Sequence, residues 1–132
     1  VGNSYRVLTA AELMARAYRF AARPEFLTFI YDQLNWIFGV NPYGVCLMEG
    51  IGEKHVERIV HSKAENRPAL AGLILNGIGP AGPGDDRPYL VTRPEEALSA
   101  DTNGFALRNN VRYINAMAHL KRIRVVLPGE AK

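Results

Sequence analysis

The stretch Trp36-Ile-Phe-Gly-Val-Asn-Pro-Tyr-Gly-Val-Cys-Leu-Met-Glu-Gly-Ile-Gly52 decides how this chain can fold. Gly39 breaks an amphipathic helix abruptly, and an Asn-Pro pair follows it. The three further glycines allow backbone conformations that a β-carbon would resist. A plain turn between two helices would need only one or two such residues. The stretch therefore predicts a loop that takes one particular path and is shaped for binding.

Helix-forming patterns precede this loop. Thr9 and Glu12 have the spacing of a capping box, and the residues around them predict a helix from about Ala10 to Ala22. Pro24 suits the first turn of a second helix, which Gly39 ends. The apolar positions of the second helix follow three/four spacing and are Leu27, Ile30, Tyr31, Leu34, Ile37 and Phe38. We expect the two helices to form an antiparallel hairpin.

Glycine and proline dominate the middle of the chain, from Val40 to Asn103. The segment Leu70–Gly79 is apolar but too rich in glycine to assign to a helix or a strand. Asn103 is a candidate cap for a last helix from about Phe105 to Ile123. We expect its buried stripe to be Leu107, Val111, Ile114 and Ala118. The sequence thus predicts a mostly helical fold, a hairpin plus a C-terminal helix joined by long Gly/Pro-rich loops, in one unit spanning residues 1–132.

Composition narrows the possible functions. The net charge of +3 is modest, and no basic stripe is interleaved with aromatic residues, so we expect no nucleic-acid partner. No apolar run approaches the roughly 18 residues of a membrane-spanning helix, so we expect no membrane partner. Cys46 is the only cysteine, which excludes an internal disulfide and leaves the compartment open. The chain begins at Val1 rather than methionine, which fits a processed product, an engineered product or a piece of a longer protein.

Three motifs occur in a specific order: Phe-Gly-x-Asn-Pro-x-Gly-x-Cys from Phe38, then Gly-Ile-Gly, then His-x-Lys from His61. This order resembles the C-terminal part of glycoside hydrolase family 9, mainly endoglucanases and related β-glycosidases. The resemblance covers about Gly2 to Arg122 and implies the last third of a six-hairpin α/α barrel. Three helices cannot close such a barrel. The implied partners are therefore the missing N-terminal barrel hairpins or another copy of the chain, besides a β-linked glycan.

The resemblance also implies substrate-binding positions, at Tyr43, His61, Lys63 and Asn109. In the family, a histidine and an arginine hydrogen-bond the sugar near the scissile bond. His61 takes the place of the histidine and Lys63 that of the arginine. Lysine keeps the charge but lacks the planar fork that binds two oxygens at once.

The family's catalytic acid is a glutamate that follows an aromatic residue by four positions and precedes Asn-Ala by six. Phe105 and Asn115-Ala116 match both anchors, and the position between them is Asn109, or Asn110 if the register shifts by one. An amide cannot donate a titratable proton to a leaving group. The family's base segment, Asp-Ala-Gly-Asp, does not occur in these 132 residues. Other acids lie upstream at Glu95, Glu96 and Asp101, where solvated loop charges are the simpler interpretation. We therefore assign no catalytic residue.

Two histidines, His55 and His61, lie near two glutamates, but their spacing fits no recognised zinc pattern, so we predict neither a metal nor a cofactor. Three functions stay open. The first is a family 9-like glycosidase segment that is inactive alone. The second is a non-catalytic carbohydrate-binding or assembly module, in which Trp36, Tyr43 and Tyr89 form a sugar-stacking surface. The third is a plain helical interaction domain.

Overall fold

A computed structural model describes residues 2–57, 59–60, 70–93 and 95–123 of the chain. The described part is mostly helical, as the sequence predicts, and the α/α barrel implied by the resemblance stays a prediction. Its elements are α1 (Ser4–Tyr18), α2 (Pro24–Ile37), β1 (Gly79–Pro80), β2 (Pro88–Tyr89), α3 (Ala100–Asn103) and α4 (Leu107–Lys121). The two short strands pair antiparallel, with Gly79 opposite Tyr89.

Helix α1 lies at the centre and packs against both α2 and α4. Its buried face consists of Leu8 and the small residues Ala11 and Ala15, which let a neighbouring helix approach closely. From α2, Ile30, Leu34 and Ile37 enter the same core. The helical hairpin predicted from the sequence is therefore present. The other apolar positions predicted for α2 are less buried, and Tyr31 and Phe38 are exposed.

The start of α1 differs from the prediction. The helix begins at Ser4 rather than near Ala10 and ends at Tyr18, so Thr9 lies inside it and forms no capping box. Tertiary contacts explain the earlier start, because Ser4 N–H donates to the Asn76 carbonyl at 2.9 Å. Glu12, the supposed capping partner, is instead buried and forms an ion pair with Arg112 at 2.8 Å.

The last helix also differs. Asn103 belongs to α3 and does not cap α4, whose cap position is Ala106. The Asn103 side chain instead accepts a hydrogen bond from Val91 N–H at 3.2 Å and donates one to the Val91 carbonyl at 2.8 Å. It thus pairs with the backbone as a neighbouring strand would, and this fixes the end of the loop that precedes α4.

The predicted buried stripe of α4 is wrong. Leu107 is 72% exposed and Ile114 is 60% exposed, and Val111 and Ala118 are exposed as well. The buried residues of α4 are Asn109 and Ala116. Helical periodicity found an apolar stripe but could not tell which face of α4 meets α1, because that face carries Arg112, whose partner Glu12 belongs to α1.

The segments between the helices form a layer of short extended pieces, which we call the loop layer (residues 46–49, 72–79 and 104–105). Leu47 N–H donates to the Ile37 carbonyl at 2.8 Å, and Leu75 N–H donates to the Leu47 carbonyl at 2.9 Å. Asn76 N–H donates to the Gly104 carbonyl at 2.7 Å. The loop layer therefore joins the end of α2 to the approach to α4.

The first residues of the chain rest on this layer. Asn3 N–H donates to the Ile78 carbonyl at 2.9 Å. Gly77 has a φ of 88°, and a β-carbon there would overlap the Ser4 hydroxyl oxygen. Glycine is thus required at this position both by the backbone conformation and by the close approach of α1.

Candidate functional site

The glycine loop (residues 39–52) begins with a tightly defined helix end. Gly39 has a φ of 116°, and Val40 N–H donates back to the Asn35 carbonyl at 2.9 Å. This six-to-one hydrogen bond with a glycine in the left-handed region is the Schellman ending of a helix. The remaining glycines of the loop also have positive φ, at Gly44, Gly50 and Gly52. The predicted conformational demand on all four is confirmed.

Asn41 holds the loop in shape. Its amide nitrogen donates to the carbonyls of Trp36 and Val45, both at 2.8 Å, and its side-chain oxygen accepts from Tyr43 N–H at 3.1 Å. One side chain therefore connects the end of α2 to both arms of the turn. Sequence analysis noted Asn41 only as part of a turn, although asparagine commonly bonds the backbone two residues on.

Tyr43 connects the glycine loop to β2. Its hydroxyl donates to the Pro88 carbonyl at 2.8 Å and accepts from Leu90 N–H at 3.0 Å. The ring is partly buried and packs against the core. Because these two bonds occupy the hydroxyl, only the ring remains to contact a ligand.

Asn109 is fully buried. Its amide nitrogen donates to the carbonyls of Ile74 at 3.2 Å and Leu75 at 3.1 Å, so the residue attaches the first turn of α4 to the loop layer. Its neighbour Asn110, the alternative acid position in the shifted register, accepts from Ile74 N–H at 3.2 Å and donates to the Gly72 carbonyl at 2.7 Å. No local sequence signal indicates these bonds, since their partners lie about 35 residues away.

The glycine loop and the start of α4 approach each other through the loop layer. Leu75 accepts a side-chain bond from Asn109 and donates its own N–H to Leu47 of the glycine loop. Val60 N–H donates to the Asn103 carbonyl at 3.0 Å, which brings the chain to the same region just before His61. His61 and Lys63 themselves lie outside the described residues, so their common face with the loop stays a prediction.

Glu49 is a further acid that sequence analysis missed. It lies in the glycine loop, is buried, and has one carboxylate oxygen without a hydrogen-bond partner in the described parts of the chain. The candidate acids considered from sequence are more open: Glu95 and Asp101 are exposed and Glu96 is half-buried. Among the acids that are enclosed by protein, Glu49 is thus the one closest in sequence to the Asn-Pro turn.

Cys46, also in this loop, is a buried free thiol. Burial raises the pKa of its thiol, so the neutral form is favoured. Among the described residues no group of three His, Cys, Asp or Glu side chains could hold a metal ion. Within the same residues no helix is long and apolar enough to cross a bilayer.

A family model for glycosyl hydrolase family 9 matches residues 1–116. The chain belongs to glycosyl hydrolase family 9. The match includes the glycine loop, His61, Lys63 and Asn109, and it ends at Ala116, the second residue of the Asn-Ala anchor. Comparison with curated proteins and with solved structures gave no match. The family 9 resemblance seen in the sequence is therefore confirmed.

Proposed function

We propose that this chain is a family 9 glycoside hydrolase segment that binds β-linked glycans and does not cleave them on its own. One observation carries the proposal. The position of the general acid is Asn109, whose carboxamide is enclosed by protein and donates to two backbone carbonyls. The residue serves as a structural connection at the place where the family has its acid.

The chemistry of inverting glycosidases requires an acid for the leaving group and a base for the attacking water, on opposite faces of the sugar. Asn109 has no titratable proton, and no Asp-Ala-Gly-Asp segment occurs in the sequence. Each lost group typically removes about 10²–10⁴-fold of rate enhancement. The 132-residue chain alone is therefore expected to show no measurable turnover.

The proposed glycan site consists of Tyr43, His61 and Lys63, beside the glycine loop. Tyr43 supplies a ring that β2 and the residue after it hold in a fixed position, since its hydroxyl contacts Pro88 and Leu90. His61 and Lys63 supply hydrogen-bond donors by analogy with the family. Asn109, although also expected to contact substrate, is enclosed in this conformation, so the proposal does not depend on it.

Binding of cellotetraose, followed by isothermal titration calorimetry, tests this proposal. Replacing His61 or Lys63 by alanine should weaken binding about tenfold, which corresponds to the loss of one charge-assisted or two neutral hydrogen bonds. Lys54→Ala is the matched control, because Lys54 is an exposed lysine of the same loop and should leave the affinity unchanged. Equal affinity in all four proteins would contradict the proposed site.

The second candidate, an assembly role, has its own support. The apolar side chains Leu107, Val111, Ile114 and Met117 lie along the exposed side of α4. Exposed apolar patches beyond a few hundred Å² are uncommon in monomers and often mark interaction surfaces. We propose that this stripe is covered in the assembled protein, either by further barrel hairpins or by another copy of the chain.

A further inference from the structure

A cleft separates the start of α1 from the C-terminal half of α2, beside the start of the glycine loop at Val40. Its volume is about 470 Å³, within the range of about 300–1,000 Å³ that is usual for small-molecule sites. The side chains that line it come from both helices: Asn3, Val7, Asp32, Gln33, Asn35 and Trp36.

The polar side chains of this cleft are unused. Asp32, Gln33 and Asn35 form no side-chain hydrogen bond or ion pair with the residues that the structure describes. Two lining residues also carry buried atoms without a partner in that same part of the chain, the indole nitrogen of Trp36 and the side-chain oxygen of Asn3. Buried polar atoms in folded proteins normally have partners. Asp32, Gln33 and Asn35 are at least partly open to solvent and can bond a ligand in the cleft, whereas the two partnerless atoms are enclosed by protein.

The chemistry of the lining selects one class of ligand. The carboxamides of Gln33 and Asn35 each offer a donor and an acceptor, and the Asp32 carboxylate offers acceptors. Hydroxyl groups need both kinds of partner. Trp36 and Val7 supply apolar surface, which suits the C–H face of a sugar ring. No lysine or arginine lines the cleft, so it is not built for an anion.

We propose that this cleft is a saccharide-binding site, separate from the one at Tyr43, His61 and Lys63. A pyranose unit would lie against the Trp36 indole and exchange hydrogen bonds with Gln33, Asn35 and Asp32. The cleft is distinct from the other site but adjacent to it. Val40, which lines the cleft, belongs to the glycine loop, and the Trp36 carbonyl accepts a hydrogen bond from Asn41 of that loop.

Trp36 is the only tryptophan in the chain, so its fluorescence reports on this cleft directly. Titration of the full chain with cellobiose should give a saturable change in emission. Gln33→Ala and Asn35→Ala should each raise the dissociation constant obtained from this titration about tenfold. Thr28→Ala is the matched control, since Thr28 is an exposed residue of α2 outside the cleft, and it should leave the response unchanged.

Two further experiments distinguish binding in this cleft from binding at Tyr43, His61 and Lys63. His61→Ala should leave the Trp36 response to cellobiose unchanged while it weakens cellotetraose binding measured by calorimetry. If His61→Ala abolishes the fluorescence response and Asn35→Ala does not, the signal comes from the other site and the cleft proposal fails. A saturable response to choline but none to cellobiose would also overturn it, because the indole and Asp32 would then form a site for a cationic ligand.

Discussion

Asparagine side chains hold this molecule together where regular secondary structure is short. Asn41, Asn103, Asn109 and Asn110 each donate to a backbone carbonyl and add to the few backbone bonds that hold the loops. A carboxamide offers both a donor and an acceptor, so it can pair with a peptide group as another strand would. Aspartate or glutamate cannot do the same, since a carboxylate only accepts. Asn109, which we propose occupies the position of the family's acid, is thus part of the fold.

A glutamate at position 109 should therefore not restore catalysis. Asn109→Glu would turn a carboxylate toward the carbonyls of Ile74 and Leu75 and should lower the free energy of unfolding by about 1–3 kcal/mol. Urea denaturation measures the loss. Asn109→Gln, which has the same size as glutamate but keeps the amide, should be less destabilised. An Asn109→Glu protein that is as stable as the glutamine variant and cleaves cellooligosaccharides would show that the position belongs to a working active site.

Cys46 provides a second expectation at the same scale. Because burial raises the pKa of its thiol above 9.0, the folded chain holds the proton more tightly than the unfolded chain does. The stability from this difference is complete below the unfolded pKa and is lost as the pH rises through the folded value. We expect the urea concentration at the midpoint of unfolding to decrease as the pH rises above about 9. The decrease should be smaller in Cys46→Ala. An identical pH profile in the two proteins would contradict this.

At the scale of elements, the sequence predicts the hairpin well and the helix ends poorly. Pro24 and Gly39 act locally, so α2 begins and ends where they indicate. The start of α1 depends instead on a bond from Ser4 to Asn76, which no window of neighbouring residues contains. Periodicity similarly finds the apolar stripe of α4 but wrongly assigns it to the core. The face of α4 that meets α1 is held by the Arg112–Glu12 ion pair, which leaves no periodic pattern in the sequence.

That ion pair should matter for stability. Arg112→Ala would leave the buried carboxylate of Glu12 with only the more distant Arg16 guanidinium, at 3.9 Å, and should lower the midpoint of urea denaturation measurably. The double variant Glu12→Gln with Arg112→Met should recover much of the loss. Arg108→Ala is the control, because this exposed arginine only stacks on Tyr5, at 4.9 Å from the ring centroid. Equal effects of the two single changes, measured by urea denaturation, would argue against the pair.

At the scale of the whole molecule, the exposed stripe of α4 predicts association. We expect the isolated chain to self-associate with rising concentration, as measured by light scattering after gel filtration, and Ile114→Glu to suppress the association. Phe20→Glu is the control, since Phe20 is also exposed (93%) but lies in the turn after α1, away from the stripe. A chain that stays monomeric at every concentration, or one that Phe20→Glu dissociates equally well, would contradict the assembly role of α4.

Some features of the candidate site can be predicted from the sequence, and others cannot. The Asn-Pro turn, the glycines and the order of the family motifs are local features, and the match to family 9 follows from them. The enclosure of Asn109 depends on its contact with residues 74 and 75. The cleft at Trp36 depends on how α1 and α2 are placed relative to each other. Neither property can be read from one segment, because each arises from the packing of two.

The most direct test of the central claim is turnover by the purified chain. Cellooligosaccharides and chitooligosaccharides are incubated with it, and the release of reducing ends is followed. The absence of an acid at Asn109 and of the family's base segment predicts no release above the rate without protein. Release that persists in the wild-type chain and disappears on changing Glu49, Glu95, Glu96 or Asp101 to the corresponding amide would show that the acid lies elsewhere and that the chain is an active enzyme.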